Sequence, residues 1–195
     1  AVTGTNGKTT TTELLRAMVA ACGHTVALAG NNATPLSSVV IEDAQPDYVV
    51  LEVSSYPLET TTTFRPWIAA VLNLTPDHLS RHVTMAGYAA TKTRIFAYQQ
   101  EGDAAVINAD DEWNDAIHAP RAARRLQFSL SREVEDGLWV DGTAIRTRDR
   151  EVARVDDVPL PGRHNLENAV AALTMMYAGR FDWDRTLDAL RAFRG

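Results

Sequence analysis

Apolar residues recur every three or four positions in several segments of the chain, which is the spacing of one helical face. In the first of these segments, residues 8–22, the apolar positions are Leu14, Leu15, Met18, Val19 and Cys22. Similar spacing predicts further helices over residues 35–41, 84–97, 165–177 and 183–193. Because Cys22 belongs to the apolar stripe of its helix, we expect it to be a core residue.

Short apolar runs alternate with these helices. They cover residues 1–3, 25–29, 48–53, 68–74, 104–107 and 125–128. Strands that alternate with helices predict a parallel sheet with helices on its faces. Asp141 and Gly142 lie between apolar residues, so residues 137–145 are expected to form a β-hairpin at a sheet edge. The predicted fold class is α/β, a mostly parallel sheet flanked by helices with a small β-hairpin edge.

Composition narrows the possible functions. The 195 residues are 45% hydrophobic, enough for one substantial core, so we expect a single domain over residues 1–195. A net charge of -6 disfavours nucleic acid as a partner, since nucleic-acid binding needs a basic surface. With one cysteine and no apolar run of membrane-spanning length, the expected compartment is the cytoplasm, without a membrane partner. The chain begins inside an apparent strand, so upstream sequence is expected.

The segment Gly4-Thr5-Asn6-Gly7-Lys8-Thr9-Thr10 lies between the first predicted strand and the first predicted helix. A glycine turn followed by lysine at a helix N-terminus brings backbone N–H groups and a cation together, which suits a polyphosphate. The Thr9 hydroxyl would be available to Mg²⁺. The spacing is shorter than the general Walker pattern, which requires glycine where this chain has Val2. A helix N-terminus that binds no ligand is the alternative.

Two more candidate residues follow predicted strands at the carboxyl edge of the sheet, where ligands bind in open parallel sheets. Glu52 lies at the end of the strand over residues 48–53, and His78 follows the strand over residues 68–74. A carboxylate with the Thr9 hydroxyl and phosphate oxygens would supply the oxygen ligands that Mg²⁺ prefers. Taken alone, an ordinary strand-end carboxylate and a hydrogen-bonded loop histidine remain equally good interpretations.

Lys92 lies on the apolar stripe of its own predicted helix. The stripe contains Met85, Tyr88, Lys92 and Phe96, spaced three and four residues apart. Spacing alone favours a side chain that extends along the stripe and keeps its ammonium group in water. The alternative is burial for a function. The amine would then lose its proton more easily and could react with carbon dioxide to form a metal-binding carbamate.

Asn165 and Asn168 lie three residues apart in the predicted helix over residues 165–177. Both are off the apolar face of that helix, which consists of Leu166, Ala169, Val170 and Leu173. Two amides on one polar face could bind the edge of a nucleobase. Spacing alone favours the other interpretation, in which they cap a neighbouring loop or contact solvent.

Several motifs together resemble the central domain of the Mur ligase family, and the resemblance covers essentially the whole chain. The motifs are residues 4–10, Gly30-Asn31, Glu52-Val53-Ser54-Ser55-Tyr56, residues 73–78, Tyr88 with Lys92, and His164-Asn165 with Asn168. Gly-Thr-Asn-Gly-Lys-Thr is this family's own form of the phosphate loop. Residues 54–61 look most like those of the members that add D-glutamate to UDP-N-acetylmuramoyl-L-alanine.

The resemblance implies a P-loop NTPase-like core of a cytoplasmic, monomeric ligase of peptidoglycan synthesis. A UDP-binding domain before Ala1 and an amino-acid-binding domain after Gly195 would complete it, and the isolated core would be inactive. The implied reaction uses ATP and Mg²⁺ to phosphorylate the carboxylate of UDP-N-acetylmuramoyl-L-alanine. The amine of D-glutamate then displaces phosphate.

The family's site residues map by motif onto this chain. Residues 4–10, with Lys8 and the loop amides, would hold the ATP phosphates. Thr9 and Glu52 would bind one Mg²⁺, and His78 with a carbamylated Lys92 would bind a second. Lys8, Glu52, His78 and Lys92 are the implied catalytic residues, and for Lys92 the resemblance favours burial.

On the substrate side, the resemblance implies contacts of Asn31, Ser54 and Ser55 with the muramoyl substrate. Asn165 and Asn168 would approach the adenosine end of the nucleotide. The chain departs from the D-glutamate-adding members at Pro57, where glutamine is usual, and at Ala33, where glycine is usual. Proline removes a backbone N–H and alanine restricts the backbone, so we expect substrate contacts to differ there.

Other functions remain compatible with the sequence. A related Mur-type ligase, or one like folylpolyglutamate synthase, would act on another carboxylate and differ in its flanking domains. A nucleotide-binding module without ligase activity would use the loop as a switch. Such a switch would not need Glu52, His78 and Lys92 together.

Overall fold

The computed structural model describes residues 1–31, 34–41, 45–76, 82 and 84–195. The strands are β1 (Val2–Thr3), β2 (Val26–Gly30), β3 (Tyr48–Glu52), β4 (Ile68–Val71), β5 (Ala104–Asn108), β6 (Arg124–Ser129), β7 (Gly137–Asp141), β8 (Ala144–Arg146) and β9 (Glu151–Arg154). The helices are α1 (Lys8–Ala21), α2 (Leu36–Ile41), α3 (Ser55–Thr60), α4 (Met85–Thr93), α5 (Arg163–Ala178) and α6 (Trp183–Ala192). Short 3₁₀ segments cover Arg94–Phe96, Asn114–Ala116 and Val155–Asp157.

The strands of the described ranges form one sheet in the order β2-β3-β1-β4-β5-β6-β7-β8-β9. Pairing is parallel from β2 to β7 and antiparallel from β7 to β9. The predicted mostly parallel sheet and the predicted hairpin, formed by β7 and β8, are confirmed. A further strand, β9, lies at the edge beyond the hairpin. It was not predicted, because the short segment that forms it has little apolar character of its own.

Two apolar layers cover the sheet. On one face, Leu14 and Met18 of α1 pack with the apolar residues of α5. On the other face, Leu58 of α3 packs with Tyr88 of α4 and the neighbouring 3₁₀ segment. All of β5 is buried, since it is central and covered on both faces.

Helix ends account for most differences from the sequence prediction. Helix α4 ends at Thr93 and continues as a 3₁₀ turn, and the short helix α3 was not predicted. Cys22 directly follows α1 and is only partly buried, so it packs against the main core without being one of the buried core residues that the apolar stripe predicted. Among the described helices, none is both long enough and apolar enough to cross a membrane.

Candidate nucleotide-binding site

The loop of residues 4–7 connects β1 to α1 and places the first turn of α1 at the carboxyl edge of the sheet. Gly7 has a left-handed backbone with φ of 82° and ψ of -3°. A Cβ atom at Gly7 would lie 2.0 Å from Oδ1 of Asn168, so glycine is required for both conformation and space. Because the N-terminal N–H groups of α1 lack intrahelical acceptors, this turn suits a phosphate.

The segment after β4 holds the loop in place. The Thr5 N–H donates to the Asn73 carbonyl at 2.9 Å, and the Asn6 N–H donates to Asn73 Oδ1 at 2.8 Å. The Thr75 N–H donates to Thr5 Oγ1 at 3.0 Å. These hydrogen bonds order the loop before any ligand arrives, which reduces the entropy lost on binding.

Both lysines of the sequence, Lys8 and Lys92, point at this loop. Lys8 Nζ donates to the carbonyl oxygens of Gly4 at 3.2 Å and Thr5 at 2.9 Å. Lys92 Nζ donates to the same Gly4 oxygen at 2.9 Å and to Thr3 Oγ1 at 3.3 Å. In a chain of net charge -6, the Lys8 ammonium group at this loop favours an anionic ligand.

The Lys92 side chain is buried, with 2% of the residue exposed. Its Nζ lies 4.7 Å from the centre of the Tyr88 ring. The expectation from spacing alone, an amine that reaches water, is therefore wrong, whereas the burial implied by the family resemblance is confirmed. The physical reason is tertiary, because α4 packs this face against β1 and the phosphate loop.

Thr9 and Glu52 meet as the sequence predicted. Thr9 Oγ1 donates to Glu52 Oε2 at 2.9 Å, and Glu52 at the end of β3 is 4% exposed. A hydroxyl and a carboxylate are oxygen donors of the kind Mg²⁺ binds beside phosphates, so this pair fits a magnesium nucleotide. His78 and Ala33 lie outside the described residues. Within the described ranges, no three His, Cys, Asp or Glu side chains cluster as a metal site.

The two asparagines of α5 have different environments. Asn165 is partly exposed, and its Nδ2 donates to the Pro161 carbonyl at 2.8 Å, which agrees with the favoured capping or solvent interpretation. Asn168 is 5% exposed and lies against Gly7. Of the two alternatives that spacing favours, contact with solvent is wrong for Asn168, whereas its position against a neighbouring loop agrees with the other, because the phosphate loop covers that side of α5.

A cavity of about 390 Å³ adjoins Glu52, the hydrogen-bond partner of Thr9. Asn31, Ser54 and Glu52 line it, as does Pro57, one of the two departures from the family pattern. Most of the remaining lining is apolar and includes Leu36, Leu51, Val53 and Phe64. Thus two predicted substrate residues share a cavity with a predicted metal ligand.

Ser55, the third predicted substrate residue, is buried, and its hydroxyl lies 3.0 Å from Nε2 of His82. His82 Nδ1 lies 3.7 Å from Glu59 Oε1, and the imidazole packs against Tyr88 with ring centres 5.0 Å apart. His82 therefore connects α3, which follows Ser54, to α4, which carries Lys92. Sequence analysis missed this histidine, since its partners are distant in the chain.

A polar cluster at the carboxyl end of β5 was also missed. Asn108 Nδ2 donates to the Leu72 carbonyl at 2.8 Å and to Glu167 Oε1 at 2.6 Å. Asp111 Oδ2 accepts the Leu74 N–H at 2.7 Å. Burial raises the pKa of both Glu167 and Asp111. The strand-end rule that indicated Glu52 would also have indicated Asn108 and Asp111.

The fold and loop define an α/β domain of the P-loop type, with its glycine loop and lysine at the first strand–helix junction. The family model of the Mur ligase middle domain, which describes the family's sequences, matches residues 2–176. The chain therefore belongs to the Mur ligase family. The UDP-N-acetylmuramoylalanine--D-glutamate ligase of Pelotomaculum thermopropionicum is 44% identical over 199 residues, covering 100% of this chain and 44% of that protein. The ligase of the same name from Caldanaerobacter subterraneus subsp. tengcongensis is 41% identical and covers 100% of this chain.

Solved structures agree with this assignment. A UDP-N-acetylmuramoyl-L-alanyl-D-glutamate--2,6-diaminopimelate ligase superposes with a TM-score of 0.79 at 26% identity, covering 100% of this chain and 46% of that one. MurF from Acinetobacter baumannii has the same fold, with a TM-score of 0.80 at 19% identity. The chain spans less than half the length of the curated relatives it matches, at 44% and 43%.

Proposed function

We propose that this chain is the ATP-binding core of a longer cytoplasmic ligase that joins D-glutamate to UDP-N-acetylmuramoyl-L-alanine in peptidoglycan synthesis. The observation that carries the proposal is the meeting of four side chains at one loop. Lys8 and Lys92 share the Gly4 carbonyl, and the Thr9–Glu52 pair lies beside them. Relatives named for this ligase, at 44% and 41% identity, support the choice of substrates.

Each residue has a role in this proposal. Lys8 and the N–H groups of the loop bind the ATP phosphates. Thr9 and Glu52 would hold Mg²⁺, which when bound neutralises phosphate charge. His78 and Lys92, the latter as a carbamate, would hold a second Mg²⁺. Asn168, beside Gly7, and Asn165 would lie toward the adenosine end.

The cavity lined by Asn31 and Ser54 would receive the muramoyl end of the substrate. A carboxylate oxygen of that substrate attacks the γ-phosphorus of ATP, and ADP leaves. The amine of D-glutamate then attacks the acyl carbon, and phosphate departs as the nitrogen loses a proton. The protein accelerates such steps mainly by positioning and charge neutralisation. Ser55 joins the substrate contacts only if its hydroxyl turns from His82.

The flanking domains are part of the proposal. A UDP-binding domain before Ala1 and an amino-acid-binding domain after Gly195 would supply the remaining substrate contacts, in a monomeric enzyme. The isolated core would bind nucleotide without completing the reaction, since D-glutamate would contact the absent domain.

The test is isothermal titration of the chain with AMP-PNP and Mg²⁺, beside Lys8→Ala and Arg16→Ala. Arg16 is an exposed cation on the same helix, paired with Glu13, and controls for a general loss of positive charge. We expect Lys8→Ala to weaken binding at least ten-fold and Arg16→Ala to leave it unchanged. Equal binding by all three proteins would overturn the phosphate site.

The full-length protein separates the ligase from a nucleotide switch. Assayed for ADP release dependent on both UDP-N-acetylmuramoyl-L-alanine and D-glutamate, it should lose activity on substitution of His78 or Lys92. ATP hydrolysis that does not depend on either substrate, and that is retained in the His78 and Lys92 variants, would favour the nucleotide switch.

A further inference from the structure

Asn108 joins two parts of the structure that contact the phosphate loop from different sides. It is the last residue of β5 and is 4% exposed. Its Nδ2 donates to the Leu72 carbonyl at 2.8 Å and to Glu167 Oε1 at 2.6 Å. Its Oδ1 accepts the Asp110 N–H at 2.9 Å. Both N–H groups and the oxygen of this amide therefore have a defined partner.

On one side, Leu72 begins the segment after β4 that orders the loop. Asn73, the next residue, accepts the Thr5 N–H through its carbonyl and the Asn6 N–H through Oδ1. Leu72 also limits the loop sterically, since a Cβ atom at Gly4 would lie 3.0 Å from Leu72 Cβ. The position of Leu72 therefore affects the conformation of the loop.

On the other side, Glu167 lies next to Asn168 in α5. Successive residues of a helix point about 100° apart, so the two side chains reach different neighbours. Glu167 bonds to Asn108 at the end of β5, whereas Asn168 lies against Gly7. The loop, the segment after β4, Asn108 and the start of α5 thus form a closed ring of contacts.

The pair of Asn108 and Glu167 is a poor source of stability. Helix α5 is already held on the sheet by its apolar face, which includes the fully buried Val170 and Leu173. Burial and, after it, the negative charge of Asp110 raise the pKa of Glu167, so the ionised carboxylate is disfavoured there. What the hydrogen bond does supply is a fixed distance between β5 and α5.

We propose that Asn108 and Glu167 are positioning residues for the nucleotide. Their hydrogen bond sets the distance between the segment after β4 and the start of α5, and so holds residues 4–7 in the conformation that binds phosphate. Neither side chain touches the nucleotide, since both act through the loop. The inference rests on the proposed function and extends the nucleotide site to two residues outside the predicted set.

Charge gives the proposal a distinctive sign. Glu167 is an acid near a site for an anion, so any uncharged replacement would strengthen nucleotide binding if only its charge mattered. Positioning predicts weaker binding for Glu167→Ala, because alanine offers no acceptor to Asn108. Glutamine keeps an acceptor oxygen without the charge, so Glu167→Gln should not weaken binding. The two variants should therefore differ in direction.

Isothermal titration of the full-length protein with AMP-PNP and Mg²⁺ measures this difference. We expect Glu167→Ala and Asn108→Ala each to weaken binding by about five-fold or more, the equivalent of one hydrogen bond. Glu167→Gln should bind no more weakly than the unmodified protein. The double alanine variant should bind no more weakly than either single variant, because both substitutions remove the same bond.

Asn114→Ala is the matched control for the loss of a buried asparagine. Asn114 is also buried, but its Oδ1 accepts from Arg125 and Gln127 of β6. Its substitution should leave AMP-PNP binding unchanged.

Hydrogen exchange without nucleotide measures the loop directly. The Thr5 and Asn6 amides, which bond to the segment after β4, should exchange about ten-fold faster in Glu167→Ala and at an unchanged rate in Glu167→Gln. The Ala104 amide lies at the opposite end of β5 and reports general opening of the sheet. Its exchange should be the same in all variants.

Unchanged exchange at Thr5 and Asn6 in Glu167→Ala would overturn the proposal, as would tighter nucleotide binding by both Glu167 variants. Faster exchange at Ala104 along with the loop would show a general structural role and would also overturn it. Absence of AMP-PNP binding by the unmodified full-length protein would instead contradict the proposed function. The exchange measurement, which uses no nucleotide, would then still decide whether the pair holds the loop.

Discussion

Gly7 combines two constraints that act on a single residue. Its φ of 82° is a region where L side chains are strained, and its missing Cβ leaves room for Asn168. The first constraint belongs to the loop alone, whereas the second exists only because α5 packs against α1. The sequence motif indicates that glycine is needed for the backbone conformation, and the structure adds that glycine is also needed to leave space for Asn168.

We predict that Gly7→Ala abolishes AMP-PNP binding and destabilises the chain by about 3 kcal/mol, from backbone strain plus a steric clash. Urea unfolding and isothermal titration measure both effects. Gly102→Ala is the matched control, because Gly102 also has positive φ, 89°, but nothing lies within 4 Å of an added Cβ. It should cost only the strain, about 1 kcal/mol, and leave binding intact.

Adding Asn168→Ala to Gly7→Ala separates the two constraints. The clash disappears in the double variant while the strain remains, so part of the lost stability should return. A double variant no more stable than Gly7→Ala would show that the contact with Asn168 is unimportant.

At the scale of elements, helices α3 and α4 depend on each other through His82. The imidazole contacts Ser55 at the start of α3 and Tyr88 within α4, and the His82 side chain is 4% exposed. The segment leading to α3 lines the proposed substrate cavity, and α4 carries Lys92. The contact therefore joins the two sides of the candidate site.

His82→Ala should lower the free energy of unfolding by about 2 kcal/mol, because it leaves the buried Ser55 hydroxyl without its partner and opens a void. His118→Ala, at an exposed histidine, should change stability by less than about 0.5 kcal/mol. Denaturant unfolding of both variants measures the difference. Equal stability of the two would mean that His82 does not connect the helices.

At the scale of the whole molecule, the amino group that Ala1 carries in a chain of residues 1–195 alone couples the folding of that chain to pH. Burial lowers its pKa from 8.0 to about 5. At pH values between these two pKa values, the amino group binds a proton in the unfolded chain but not in the folded chain. The free energy of unfolding should therefore fall as pH drops from 8 to 5, by at most about 4 kcal/mol, since Ala1 itself is only half-buried.

Urea unfolding of residues 1–195 at pH 8, 6.5 and 5 measures this loss. The control is the same chain with an acetylated N-terminus, whose amide cannot titrate. Asp47 and Ala1 line one cavity, but hydrogen bonds from Thr25 lower the pKa of Asp47, so its carboxyl group titrates below this pH range. The raised pKa values of Glu167 and Asp111 increase the free energy of unfolding as pH falls, which is the opposite effect. This effect is the same in the free and the acetylated chain. Parallel pH profiles would contradict the prediction.

The sequence by itself determined the succession of strands and helices along the chain, apart from β9 and α3, and the place of the phosphate loop. Apolar periodicity and glycine position act over a few neighbouring residues, so they can be read without a fold. The same holds for the meeting of Thr9 and Glu52, because the carboxyl ends of parallel strands share one edge.

Only the tertiary structure decided which individual polar side chains are buried and which groups they contact. Lys92 and Asn168 are buried because elements distant in sequence cover their faces, and Ser55 turns toward His82 for the same reason. Periodicity assigns a residue to a face of its own element, whereas burial depends on which other element packs there.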